Sequence, residues 1–392
     1  MISNDTLKKP KVAFLFVEAG MGHIMPMRAV CDAFESKYGD RVEVIRTDFF
    51  RDAGDPDMKF VEDELVKEVK RHNKNRFNGF IQFLGLRLFG SRLSMKCLHE
   101  LRYKRGFLPS LKYLEKLDAD IVFNTHFSTL YYAVRARKRG LINSKIITYC
   151  PDPVVGLQWI GGGDLIALSS GEGARKAVKS GRFCGENVID TPFLIRKEVE
   201  LYDKGKAHYR RLLDIPEDRF TILAADGAYG AGRLKKTVYG LLKAKSKITV
   251  MAVCGKNESL HKEFLKIAPP DNITFRPYGF TDKTLALAAA CDLFMGKAGA
   301  SNLAEPSYFG APSIVTFTAT PIEKWICRNF VKSGRALKIT NINKAVKTAL
   351  EFANNPALMR KYGQAAKASS RSDGADILAD IIWESLSGGR HI

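Results

Sequence analysis

A run of small residues, Gly296-Lys297-Ala298-Gly299-Ala300-Ser301-Asn302-Leu303-Ala304-Glu305, follows the strand-like segment Cys291 to Met295. A strand that runs through such residues into a helix leaves unpaired N–H groups and the positive end of a helix dipole exposed, which suits a diphosphate. Glu305 is placed to accept hydrogen bonds from sugar hydroxyls. Asn302 and Glu305 also have the spacing of a helix capping box, so the same residues have a purely structural alternative. A second candidate is His23, after Gly20-Met21-Gly22. Glycines let backbone approach a ligand, and an imidazole there is suited to proton abstraction near neutral pH. The turn is not a dinucleotide fingerprint, because Ile24 and Met25 occupy the place of its last glycine. A histidine that merely caps the helix is the alternative.

Weaker signals lie in the second half. Gly227-Ala228-Tyr229-Gly230-Ala231-Gly232 could cradle a phosphate or form a flexible turn. Cys254-Gly255-Lys256-Asn257 and Tyr278-Gly279-Phe280-Thr281-Asp282 are turns after strands. Glu323, in the loop Thr318 to Glu323, is another possible hydroxyl acceptor, although glutamates in such loops generally face solvent. H-E-x-x-H, Walker A and G-x-S-x-G sequences are missing, which argues against zincins, P-loop NTPases and α/β-hydrolases. Asp55-Pro56-Asp57 lies in a polar loop and Asp118-Ala119-Asp120 directly precedes a strand, so neither reads as a metal site.

These turns need strands to hold them. Lys11 to Val17, Asp120 to Asn124, Lys145 to Tyr149, Phe220 to Ala225, Ile248 to Val253, Cys291 to Met295 and Pro312 to Val315 alternate with helical stretches, the first near Pro26 to Tyr38. This alternation predicts an α/β fold with parallel sheets, which bind ligands at the carboxyl ends of their strands. At 392 residues the chain can hold two cores. The expected architecture is two doubly wound, Rossmann-like domains facing a cleft. One spans residues 1–195 and the other 196–374, with a helix at about 375–392 returning to the first.

The composition, 45% hydrophobic and 27% charged, is that of a soluble globular protein. Seven scattered cysteines without a C-x-x-C pair suggest reduced thiols in a cytoplasmic protein. No apolar run approaches the ~18 residues of a membrane span, and Val12 to Val17 reads as a strand rather than a signal peptide. The formal charge of +20 implies an acidic partner. Ten Lys/Arg residues and one acid, Glu100, lie between Lys70 and Arg105, interleaved with aromatic and aliphatic residues. Such a stretch predicts contact with an anionic membrane surface, at about 1 kcal/mol per basic group; an ordinary helix with its apolar face in the core is the alternative. Nucleic acid is not expected, since no helix-turn-helix, RRM, KH or zinc signature is present.

In this order the motifs resemble the monogalactosyldiacylglycerol synthase branch of the glycosyltransferases, which includes processive diacylglycerol glucosyltransferases. Ala225-Asp226-Gly227 through Gly232, Cys254 to Asn257, Tyr278-Gly279-Phe280 and Lys297-Ala298-Gly299 with Glu305 look like that family's donor-site sequence. The resemblance runs from about Lys11 to Lys338. It implies a GT-B fold, a UDP-sugar held by the second domain and a lipid acceptor such as diacylglycerol held by the first.

By position, the resemblance places Gly279 and Phe280 beside the uracil. Gly227, Gly230, Gly299 and Ala300 would line the diphosphate, with Gly255, Lys297 and Ser301 in the same donor-binding set. Glu305 would hold the ribose and Glu323 the donor sugar. His23 matches the base or acceptor-orienting histidine of a Gly-Gly-His turn, with Gly22, His126 and Asp152 on the acceptor side. Inverting transfer of a hexose is implied, at the cytoplasmic membrane face, with no cofactor and no metal. Met21 replaces a usual glycine, Glu18 a usual aspartate or serine, and Pro306 a usual alanine. Because proline fits best in a first turn, Pro306 predicts a helix that starts later than in the family. A UDP-sugar epimerase of the same fold, or a non-enzymatic basic protein that binds membrane or RNA, are the rival readings.

Overall fold

The computed structural model describes residues 9–18, 21–74, 92–152, 155–156, 159, 163–169, 171–179, 187–227 and 232–386. The chain divides into two compact units, Met1–Lys197 with Asp373–Ile392, and Glu198–Ser372.

In the first unit, β1 (Lys11–Phe16) leads to α1 (Met21–Tyr38) and β2 (Glu43–Asp48). Then follow α2 (Pro56–Lys74), α3 (Arg92–Tyr103), α4 (Phe107–Leu117), β3 (Ile121–Asn124), α5 (Phe127–Lys138) and β4 (Lys145–Cys150). The last elements before the crossing are β5 (Leu165–Leu168), α6 (Gly171–Lys179) and β6 (Val188–Asp190). The sheet order is β2-β1-β3-β4-β5-β6, every pairing parallel. Burial on both faces explains why β1, β3, β4 and β5 are mostly apolar runs. Ala13 and Leu15 join one cluster with Val122 and Ile146, while Val12 and Phe14 join another with Phe123 and Ile147.

The second unit contains α7 (Gly205–Leu212), β7 (Phe220–Ala225), α8 (Leu234–Leu241), β8 (Ile248–Val253), α9 (Glu258–Phe264) and β9 (Ile273–Tyr278). It continues with α10 (Thr284–Ala290), β10 (Leu293–Lys297), α11 (Ala300–Tyr308), β11 (Ser313–Phe317), α12 (Pro321–Lys332) and β12 (Ala336–Lys338). Helices α13 (Ile342–Asn354) and α14 (Pro356–Ala368) complete it. Its sheet, again all parallel, has the order β12-β11-β10-β7-β8-β9.

The chain re-enters the first unit as α15 (Gly374–Leu386). Ala375, Leu378, Ala379 and Ile382 repeat at helical spacing and pack with Met27, Val30 and Phe34 of α1. Trp383 stacks on Tyr38 with ring centroids 4.7 Å apart.

Several elements depart from the sequence reading. Helix α1 begins at Met21, so Pro26 lies within it and His23 in its first turn. Strand β10 runs to Lys297, so Gly296 and Lys297 belong to the strand rather than to a turn. Helix α11 begins at Ala300 with Pro306 inside it, not after a later start. Only the Asn302 carbonyl loses an intrahelical donor through that proline, a small loss in a helix ending two residues later. Strands β2, β6, β9 and β12 carry too few alternating or apolar residues to stand out from the sequence, and β5, though apolar, is only four residues long.

Candidate functional site

In a doubly wound sheet the order of strands reverses at one place, and the loops diverging there leave room for a ligand. In the first unit that place lies between β1 and β3, and in the second between β7 and β10. The candidate residues gather at both.

At the first reversal, the turn after β1 supplies His23 and the end of β3 supplies Thr125 and His126. His23 Nδ1 is 2.6 Å from the Thr125 carbonyl oxygen, and Thr125 Oγ1 donates back to the His23 carbonyl at 2.8 Å. A carbonyl only accepts, so His23 carries its proton on Nδ1, which leaves Nε2 with a lone pair. His126 has the opposite tautomer. Its Nδ1 accepts from the Ser128 N–H at 3.2 Å and caps α5, so its proton is on Nε2. The two rings meet edge to face with centroids 4.7 Å apart. Burial first, and then the neighbouring charge of His23, holds His126 well below the ordinary histidine value. It is a neutral group beside His23.

Asp152, after β4, is buried and accepts from Trp159 Nε1 at 3.1 Å. Burial raises its carboxyl above the ordinary value, while attraction to His23 and the Trp159 hydrogen bond act the other way. Trp159 also flanks His23, with centroids 6.3 Å apart. Gly22 is exposed, and a Cβ there would meet nothing within 4 Å. Pro26 lacks an N–H, so the Gly22 carbonyl loses its helical donor and stays available. The cluster is a half-buried imidazole held in one tautomer, with an unprotonated Nε2 beside buried Asp152 and Trp159. Gly20 lies outside the described residues.

At the second reversal, Lys297 at the end of β10 reaches the end of β7. A Cβ on Gly227 would lie 3.4 Å from Lys297 Cε and 3.7 Å from Nζ, and Gly227 has φ +80°. Lys297 Nζ pairs with Glu323 Oε1 at 2.8 Å, and the Glu323 carboxylate also accepts from the Ala319 N–H. Glu323 is therefore largely enclosed, not a solvent-facing glutamate. Helix α11 has Gly299 as N-cap and no side-chain cap, so the capping role open to Asn302 is not realised. The Gly299 N–H donates to the Lys297 carbonyl at 2.8 Å. The donors left for an anion are the first helical N–H groups, at Ala300, Ser301 and Asn302.

Two residues at this end have surroundings that the sequence reading did not foresee. Asn302 Nδ2 is buried without a hydrogen-bond partner, and a Cβ on Gly299 would come within 3.3 Å of it. Gly296 is required for the sheet, because a Cβ there would lie 1.9 Å from the Ala225 carbonyl oxygen. Asp226, named only as part of a motif, is buried and accepts from the Leu234 N–H at 2.5 Å, tying the glycine turn to α8. Glu305 is also buried, in the second turn of α11.

The remaining donor candidates end neighbouring strands. Gly255, after β8, has φ +58° and precedes Asn257, the N-cap of α9. Gly279, after β9, lies against α9: a Cβ would be 3.0 Å from His261 Nδ1. Phe280 is 72% exposed with Lys256 Nζ 5.5 Å above its ring. Gly230 lies outside the described residues.

So does 75–91 of the basic stretch. On α3, which follows it, Leu93, Cys97 and Leu101 are exposed at i, i+4, i+8 spacing, while His99 and Tyr103 on the other side are buried. The core alternative therefore holds for one side of this helix only. Among the described residues, no helix is long and apolar enough to cross a membrane.

Comparison with known proteins finds a family match in the second unit. Residues 222–320 match the glycosyltransferase family 28 C-terminal domain, from β7 to the loop before Glu323. Over 389 residues the chain is 21% identical to a processive diacylglycerol beta-glucosyltransferase of Bacillus mycoides (strain KBAB4), covering 98% of this chain and 97% of that protein. It is 26% identical over 211 residues to a UDP-N-acetylglucosamine--N-acetylmuramyl-(pentapeptide) pyrophosphoryl-undecaprenol N-acetylglucosamine transferase of Clostridioides difficile (strain 630). That match covers 51% of this chain and spans only half, 50%, of the relative. The crystal structure of Acinetobacter baumannii MurG superposes with a TM-score of 0.60 at 12% identity, covering 96% of this chain and 99% of that one. The two parallel six-stranded sheets and this likeness give the chain a two-domain α/β fold of the GT-B type, with residues 222–320 matching the glycosyltransferase family 28 C-terminal domain.

Proposed function

We propose that the protein transfers a hexose, with inversion, from a UDP-sugar to the hydroxyl of a membrane lipid such as diacylglycerol. The observation that carries this reading is the group of donors gathered at the β7/β10 reversal. Lys297 Nζ, Asn302 Nδ2 and the first N–H groups of α11 surround the backbone of Gly227 and Gly299. Such a set suits a diphosphate and stabilises the charge it gains on leaving. Gly279 and Phe280 would hold the uracil and Glu305 the ribose.

On the acceptor side, the lipid hydroxyl gives its proton to His23 Nε2. Its oxygen forms a bond to the anomeric carbon as the bond from that carbon to the diphosphate oxygen breaks, and UDP departs. Thr125 fixes the ring, Asp152 and Trp159 enclose it, and neutral His126 adds no competing charge. The exposed Leu93–Cys97–Leu101 stripe, beside a strongly basic sequence, supports contact with an anionic bilayer. The full-length likeness to a diacylglycerol glucosyltransferase supports the choice of lipid.

The test is to incubate the purified protein with UDP-glucose, UDP-galactose or UDP-N-acetylglucosamine and anionic vesicles containing diacylglycerol. Glycosylated lipid and thermal protection by UDP are expected. Absence of both overturns the reading, and an epimerised nucleotide sugar without glycolipid would replace it with the epimerase.

A further inference from the structure

Apart from both clusters of candidate residues, the first unit gathers carboxylates from three elements. Glu18 follows β1, Asp48 ends β2 and Glu62 lies on α2; one carboxylate oxygen of each falls within 4.8 Å of the others. Strands β1 and β2 pair in register with Phe16 opposite Asp48, so the cluster lies at the carboxyl edge of the sheet. Glu18 is exposed, whereas Asp48 and Glu62 are 4% and 5% accessible.

Neither Asp48 carboxylate oxygen has a partner at hydrogen-bonding geometry. Among the described residues, Arg51 is the counter-charge that all three acids share. It pairs with Glu18, lies 3.5 Å from Glu62 and 3.9 Å from Asp48, and its side chain is 58% exposed. Asp52 adds a fourth carboxylate that also acts on Asp48. One arginine cannot balance four acids, and a buried carboxylate without a partner is costly. In a protein of formal charge +20 this is a local excess of negative charge.

We propose that Glu18, Asp48 and Glu62 bind a hard divalent cation of the calcium or manganese(II) type, which takes the place of the Arg51 guanidinium. All-oxygen, anionic ligands select hard cations, and oxygens this close can share one ion at contacts of about 2.3–2.6 Å. The exposed Arg51 side chain can swing into solvent without disturbing the fold. Local sequence spacing gave no sign of the site, because its ligands come from separate elements.

The experiment is titration of the full-length protein with Mn²⁺, free of nucleotide, followed by the loss of the free-ion paramagnetic resonance signal. One saturable site that Ca²⁺ displaces is expected. Asp48→Asn and Glu62→Gln should each weaken binding by roughly tenfold or more, and Arg51→Gln should tighten it. Glu18→Gln, at an exposed position, weakens binding without risk to the fold and guards against misfolding of the buried variants. No saturable Mn²⁺ binding, or binding unchanged in Glu18→Gln and Asp48→Asn, overturns the proposal. Because no step of the proposed transfer uses a cation, the assay for transfer stands or fails separately.

Discussion

Lys297 and Glu323 form an ion pair of 2.8 Å with side chains only 18% and 12% exposed, joining the end of β10 to the first turn of α12. The pair holds the ammonium beside Gly227, and either partner alone would be a poorly solvated charge. Lys297→Met should weaken UDP binding by about 10–100-fold, the worth of a hydrogen bond to a charged group. Glu323→Gln should lower the stability of the free protein more than that of the UDP complex, because a diphosphate can replace the lost carboxylate. Calorimetric titration and thermal unfolding with and without UDP measure both effects. Equal destabilisation in the two states would show that Lys297 does not meet the diphosphate.

Asn302 offers a contrast between stability and binding. Its buried Nδ2 has no partner in the free protein. Asn302→Leu should leave stability unchanged or raise it by about 1–2 kcal/mol, since an unsatisfied polar group is removed. The same variant should bind UDP at least tenfold more weakly. Urea unfolding and UDP titration read the two quantities; unchanged affinity would assign the amide to another role.

Two glycines should behave in opposite ways. A Cβ on Gly296 would lie 1.9 Å from the Ala225 carbonyl, whereas one on Gly22 would meet open space. Gly296→Ala should cost at least ~3 kcal/mol by overpacking β7 against β10. Gly22→Ala should leave the unfolding midpoint within about 0.5 kcal/mol of the parent. If Gly22→Ala also slows transfer, the loss reports on the acceptor and not on folding.

His23→Ala should lower turnover by roughly 10²–10⁴-fold if Nε2 removes the acceptor proton, with UDP affinity unchanged. Thr125 holds the ring through its main chain, so no side-chain change at that position removes the bond to Nδ1. Turnover within twofold of the parent would refute the role of base.

Acid should destabilise the first unit. Burial lowers His99 from 6.5 to about 4, and His126 also lies well below its usual value. Both native rings resist protonation, while the unfolded chain takes up protons near 6.5. The stability they contribute is complete above 6.5 and is lost as pH falls toward the folded values. The slope for each is at most about 1.4 kcal/mol per pH unit. His99→Phe should flatten the fall between pH 6.5 and 4, measured by urea unfolding at several pH values; an unchanged slope would remove His99 from the account.

The apolar strands and the glycines at their ends determined the α/β class from sequence alone. A strand covered on both faces must be apolar throughout, and β1, β4, β7, β8 and β10 show it within a few residues of their ends. The positions of His23, Lys297 and Glu305 could be read for the same reason, since His23 and Glu305 come after such strands and Lys297 ends one. Short or mixed strands such as β2 and β12 carried no comparable signal.

Only the tertiary structure decided what those residues touch. The bond from His23 to Thr125 spans 102 positions, and it fixes the tautomer that leaves Nε2 unprotonated. The pairing of Lys297 with Glu323, the unsatisfied Asn302 amide and the carboxylates around Arg51 depend equally on which strands lie side by side. Local sequence limits the backbone conformation of each turn, but the order of strands brings separate turns together. Sequence therefore marked where chemistry could occur, and the reversals at β1/β3 and β7/β10 determined its partners.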